Sequence, residues 1–295
     1  MTRARMFLAF FAIAHGGGAL VACLFPEVWS MAPDEGTGPQ KAVGIVHLMP
    51  VLFATLVVQG PLLKQPLLEP LGLKLGVNRW WFIACLCPVL ILAVGLGVCA
   101  ALGHDLIVDA ADYVARKRAA LPPDMRAGFD ARLAESPPSS PLLFIGQGLI
   151  AGVTFNLMFT LATEVGWRGF LFREVRGGFW RRSVLIGLAE AAYFAPIALL
   201  GFHFGDPLTG LLAMTVWAVV ASPVLTYLRV RADSVFAPAI FRGAILGLTA
   251  VAADLTDAGP ALRPFFGAGA VVGLLVVLVL FWQHDRQASQ RLMTR

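Results

Sequence analysis

Glu164 and Arg168 are the residues from which chemistry could start. They stand four apart, so on a helix they share a face, with the acid on the N-terminal side, the favourable order for an ion pair. They sit where an apolar run, 141–162, meets a basic segment carrying Arg168, Arg173, Arg176, Arg181 and Arg182. A charge this close to a bilayer interior is expensive, so it needs either a partner or a task. Two further charges lie deeper. Glu190 interrupts the apolar stretch 183–201, and Arg242 interrupts 235–252. Each is about eight residues into its run, roughly 12 Å at helical rise. A carboxylate can act as a base or a proton carrier. An arginine can hold an oxyanion, but it stays protonated and cannot ligate a metal.

The remaining chemical residues are scattered. The five histidines, at positions 15, 47, 104, 203 and 284, lie in separate segments. His15 precedes Gly16-Gly17-Gly18, which suits close helix packing, and His47 is a lone polar residue in an apolar run. Cys23, Cys85, Cys87 and Cys99 all lie in apolar runs without metal-ligand spacing and read as free thiols. No metal and no cofactor is expected. Thr154, Asn156 and Thr160 are expected to hydrogen-bond between helices.

The elements that must carry these side chains are membrane helices. The 295 residues are 58% hydrophobic and 14% charged, which excludes a soluble domain. Apolar runs long enough to span occur at 6–25, 41–60, 80–102, 142–162 (continuing toward 172), 183–201, 208–228, 235–252 and 265–282. The expectation is an all-α polytopic bundle of about eight transmembrane helices, with 1–295 forming a single transmembrane domain. Leu20-Val21-Ala22-Cys23 resembles a lipoprotein cleavage box, which leaves lipidation of Cys23 open, but it falls inside a full-length span and a retained helix is expected.

The one long polar stretch, 103–140, repeats apolar residues at helical spacing: Ile107, Ala111 and Val114, then Leu121, Met125, Phe129 and Leu133. Two short amphipathic helices are expected there, lying on the membrane surface or capping the bundle. Pro137, Pro138 and Pro141 end it. The basic segments, namely the N-terminus, 64–79, 168–182, 229–231 and the tail, fall on one side of the bundle. The opposite loops carry Glu27, Asp34, Glu35, Asp206, Asp254 and Asp257. The net charge of +5 is therefore an orientation signal and not a nucleic-acid footprint. It puts both termini, Glu164 and Arg168 in the cytoplasm and 103–140 outside.

The motifs also carry a resemblance. Glu164-x-Gly166-Trp167-Arg168-Gly169 resembles the first motif, E-E-x-x-x-R-G, of the CPBP family of CAAX prenyl endopeptidases and bacteriocin-processing intramembrane proteases. Gly187, Pro196 and Gly201 match the frame of its second motif. Ser234, Val235, Ala237, Pro238 and Ala239 match its third. The similarity covers about 71–252. It implies a helical membrane bundle, housed in a bacterial plasma membrane, and an intramembrane endopeptidase site.

The same alignment of motifs implies that the site is degenerate. The family's general base falls on Thr163, its two histidines on Phe194 and Arg242, and its asparagine on Leu246. Glu164 and Arg168 are retained. Threonine cannot serve as a base near neutral pH, and phenylalanine has no polar atom. The expected protein binds the lipid bilayer and a lipidated or membrane-embedded peptide partner without cutting it. Two alternatives stand beside this reading: an active endopeptidase using Glu164 or Glu190 with Arg242, and a small transporter in which Glu190 carries protons. Arg242 and Glu190 occupy or neighbour the positions of the family's two histidines, so a buried ion pair between them is expected, with Glu164 as the rival partner.

Overall fold

A computed structural model describes residues 2–29, 38–135 and 141–294. The chain is an all-α polytopic membrane bundle. Its spanning helices are α1 (Arg3–Leu24), α2 (Gly38–Val57) and α3 (Arg79–Ala101), followed after an insertion by a broken span and four more. The insertion forms α4 (Ala110–Ala120) and α5 (Pro123–Glu135), and the broken span is α6 (Pro141–Val153) with α7 (Phe155–Glu164). The last four are α8 (Phe179–Leu199), α9 (Pro207–Ala232), α10 (Phe236–Asp254) and α11 (Ala268–Gln287). Among the described residues, seven helices are long and apolar enough to cross a membrane, and an eighth crossing arises if the bent pair counts as one span.

The bend corrects the expectation of a continuous fourth helix. The axes of the two halves, Leu142–Val153 and Phe155–Glu174, differ by 48°. The cause is local. Thr154 leaves helical geometry (φ −113°, ψ −86°), and its hydroxyl donates to the Ile150 carbonyl at 2.6 Å. Such bonding back to the preceding turn bends helices. Thr154 therefore bonds within its own segment, whereas Asn156 and Thr160 do reach across, to the carbonyls of Gly243 (3.5 Å) and Ala239 (2.8 Å) of α10. The α6 half is drawn onto α10 by small residues: a Cβ on Gly148 would lie 2.7 Å from the Gly247 carbonyl oxygen. Small-residue contact of this kind is how membrane helices pack without a hydrophobic drive between them.

Two of the buried clusters among the described residues build most of the interior. The larger joins α3, α9, α10 and α11 through residues such as Trp80, Trp217, Tyr227, Phe241 and Phe281. The smaller joins α1, α2 and the segment after α7 through Phe10, Val51, Trp167 and Phe170. Helix α8 lies between them, with Tyr193 and Ile186 in the smaller cluster and Ala191 and Ala198 in the larger.

Within the 103–140 insertion, α4 and α5 are helical and 103–109 is irregular, and the insertion is anchored to the bundle. Tyr113 is buried against Phe144 with ring centroids 4.5 Å apart, Lys117 pairs with Asp254 at 2.7 Å, and the Ile107 amide donates to the Leu255 carbonyl at 2.9 Å. It caps the end of the bundle where α10 finishes. Asp34, Glu35, Pro137 and Pro138, to which the charge and boundary readings referred, lie outside the described residues.

Candidate functional site

The backbone around Glu164 is itself unusual. Helix α7 ends at Glu164, and Val165–Leu171 continues it as a π-helical stretch. Wide turns of this kind recur at functional sites. Here close packing explains the residue types. A Cβ on Gly166 would lie 2.3 Å from Val51 of α2, and one on Gly169 would lie 2.7 Å from the Leu71 carbonyl oxygen. The widened turn is pressed from both sides, by the Val51 side chain at Gly166 and by the Leu71 backbone at Gly169, and glycine fits at both positions. Trp167, Arg168 and Phe170 are consequently driven fully into the interior.

Three helical segments deliver four charges to one point. Arg168 Nη1 donates to Glu190 Oε2 of α8 at 2.7 Å and to Glu164 Oε1 at 3.4 Å. Arg242 of α10 pairs with both carboxylates, Glu164 and Glu190. Glu164, Arg168 and Glu190 are wholly buried, and Arg242 keeps 8% exposure. The result is a closed ring of two carboxylates and two guanidinium groups with no net charge.

That arrangement follows from the cost of burying charge. A single ionised group at this depth is prohibitive, a hydrogen-bonded pair offsets much of the penalty, and a neutral ring offsets it for all four members. Glu190 takes a strong bond from each arginine. The guanidinium of Arg242 also lies 5.5 Å from the Trp217 ring centroid, within range of a cation–π contact. Some hydrogen-bonding capacity is left over: Glu164 Oε2 and Arg168 Nε and Nη2 find no protein partner.

Each sequence-derived position has a clear fate. Glu190 and Arg242 come together, and Glu164, offered as the rival, joins the same ring. The expected i+4 pair of Glu164 with Arg168 forms at 3.4 Å, and Arg168 adds a shorter bond, 2.7 Å, to Glu190. Thr163 is buried and its hydroxyl donates to the Thr160 carbonyl at 2.9 Å, so it is committed to its own helix. Phe194 stays half-buried among aromatic rings. Leu246 is 40% exposed on the outside of α10. The site is also closed to solvent, its charged members being buried.

The histidines require a further correction. His15 and His47 lie far apart in sequence, yet both pack on Tyr193, with ring centroids 5.7 Å and 4.8 Å away. His47 also lies 5.8 Å from Phe194, the position of a family histidine. His15 Nε2 meets the Ala189 carbonyl at 2.9 Å, one residue before Glu190. His47 has no well-formed hydrogen bond at either ring nitrogen, although the Gly18 backbone lies within electrostatic reach. The folded chain thus places imidazoles beside the site from α1 and α2. The one prior signal was that each interrupts an apolar run. Among the described residues, no three His, Cys, Asp or Glu side chains gather as the ligands of a metal would.

Comparison with known families agrees with the motif geometry. Residues 139–248 match the family described as type II CAAX prenyl endopeptidase Rce1-like. Over that segment this membrane protein is CAAX-protease-like. No curated protein matches it. The Rce1-like segment runs from α6 to α10 and so contains all four members of the charge ring: Glu164, Arg168, Glu190 and Arg242. It also contains Thr163, Phe194 and Leu246. The regions before and after it, α1 to α5 and α11, supply the packing around that segment and the two histidines that flank Tyr193.

Proposed function

We propose that this protein is a catalytically silent relative of the intramembrane CAAX proteases, which binds a lipidated or membrane-embedded peptide and does not cleave it. One observation carries the reading. Where an intramembrane hydrolase needs a base to activate water and donors to hold the developing oxyanion, this chain has a closed, neutral ring of Glu164, Arg168, Glu190 and Arg242. A carboxylate clamped by two guanidinium groups is a poor base, because taking up a proton breaks the pairing that keeps it stable in the interior. Thr163 and Phe194 supply no alternative base.

What remains is the scaffold. The Rce1-like helices, their tight α6–α10 contact and the pressed π-helical turn are structural investments that a partner-binding role still requires. In this reading both termini are cytoplasmic, the 103–140 insertion faces outward, and the membrane is a bacterial plasma membrane. The positive-inside distribution supports that orientation.

The test is binding with the product monitored. The full-length protein in proteoliposomes should retain a prenylated CAAX peptide saturably, and mass spectrometry should find the retained peptide intact. Absence of saturable binding, or recovery of a shortened peptide, would overturn the proposal.

A further inference from the structure

Three spans end together at one edge of the bundle, where α3 begins and α9 and α11 finish. Between them lies a cleft of about 450 Å³, lined by Arg79, Trp80, Arg231, His284 and the tail residues Ala288 and Ser289. Its polar wall is basic. Arg79 is exposed and lies 3.5 Å from His284 Nε2, with its guanidinium 5.6 Å from the Trp80 ring centroid. An arginine only donates, so His284 Nε2 accepts and the ring proton sits on Nδ1, facing the Tyr227 hydroxyl at 2.7 Å.

The acids nearby are already engaged. Asp285 takes Arg231 Nη2 at 2.7 Å and the amides of Leu292 and Met293, both at 2.9 Å. Asp233 takes Lys74 at 2.9 Å and faces Arg229 at 3.8 Å. Neither neutralises Arg79. Arg231 Nε is buried and has no hydrogen-bond partner. The cleft therefore offers an exposed guanidinium, a second one partly engaged, an imidazole and an aromatic face, all at the depth where tryptophan marks the membrane interface.

We propose that this cleft binds a phosphate group, presented either by an anionic phospholipid headgroup or as soluble phosphate. Forked guanidinium groups match a multi-oxygen anion, and basic pockets between transmembrane helices are suited to lipid headgroups. The bound anion bridges α3, α9 and α11 and holds the tail, which is otherwise fixed by Asp285 and by the Trp180 Nε1 bond to the Met293 carbonyl at 2.9 Å.

The test uses the full-length protein in detergent and two probes, short-chain phosphatidylglycerol and inorganic phosphate, with short-chain phosphatidylcholine as the neutral comparison. Variants are Arg79→Gln, which alters an exposed side chain in the first turn of α3, and Arg176→Gln, an exposed arginine outside the cleft. Binding of phosphatidylglycerol should exceed that of phosphatidylcholine by about tenfold and fall by about tenfold in Arg79→Gln only, the scale of one lost charge-assisted hydrogen bond. Competition by inorganic phosphate identifies a site open to soluble anions, and failure to compete identifies a headgroup site; either supports the proposal provided Arg79→Gln weakens it. Equal binding of the two lipids, no effect of Arg79→Gln on either probe, or equal loss in Arg176→Gln overturns it.

Discussion

Arg242→Met is the sharpest perturbation of the charge ring. It removes a guanidinium that touches both Glu164 and Glu190 while keeping a flexible side chain against Trp217. Two buried carboxylates are then left with Arg168 alone. Removing one member of a buried pair costs about 3–5 kcal/mol, because the charge left behind is uncompensated. Adding Glu190→Gln restores neutrality, since Glu164 and Arg168 remain as a pair. The double variant should recover roughly 2 kcal/mol or more of that loss, a coupling in the upper range for residues in direct contact. Equilibrium unfolding of the full-length protein in mixed micelles, run as a double-mutant cycle, gives the coupling directly. Losses that add to within about 0.5 kcal/mol would show that the two side chains do not depend on each other, and the ring would lose its energetic meaning.

Two more predictions use the same unfolding assay. Gly169→Ala places a methyl carbon 2.7 Å from the Leu71 carbonyl oxygen and should destabilise by about 1–3 kcal/mol, as overpacking does; a neutral effect would mean that the π-helical turn has room to spare. His203, in the loop between α8 and α9, is held down to about 4 from its ordinary 6.5, first by burial and then by Arg263. An unfolded chain therefore takes up this proton before the folded one, so stability should fall as pH drops from about 6.5 toward 4. His203→Asn, which suits the positive φ of 68° at this position, should flatten that slope, and an unchanged slope would assign the acid sensitivity elsewhere.

Much of the fold could be read from composition and hydropathy, because bilayer thickness sets span length and the apolar runs here meet it. The pairing of Glu190 with Arg242 was legible because each is too costly to stand alone at its depth and because the resemblance implies that their two helices meet at the positions of the family's two histidines. The bend at Thr154 was not legible, since one threonine in an apolar run can bond forward to another helix or back to its own, and only packing decides. The same limit hid the gathering of His15 and His47 on Tyr193. Sequence separation says nothing about which helices become neighbours in a bundle. Gly166 and Gly169 could be read as motif residues but not as the reason for a π-helical turn, which depends on how closely α2 and the Leu71 backbone approach.

The central claim is that the charge ring is structural and not catalytic, and the most direct measurement is product release. The full-length protein in proteoliposomes, incubated with a prenylated CAAX peptide, should release no C-terminal tripeptide above protein-free liposomes by mass spectrometry, and Thr163→Glu alone should not change this. Tripeptide release by the unmodified protein that is abolished by Glu164→Gln or Glu190→Gln would contradict the account.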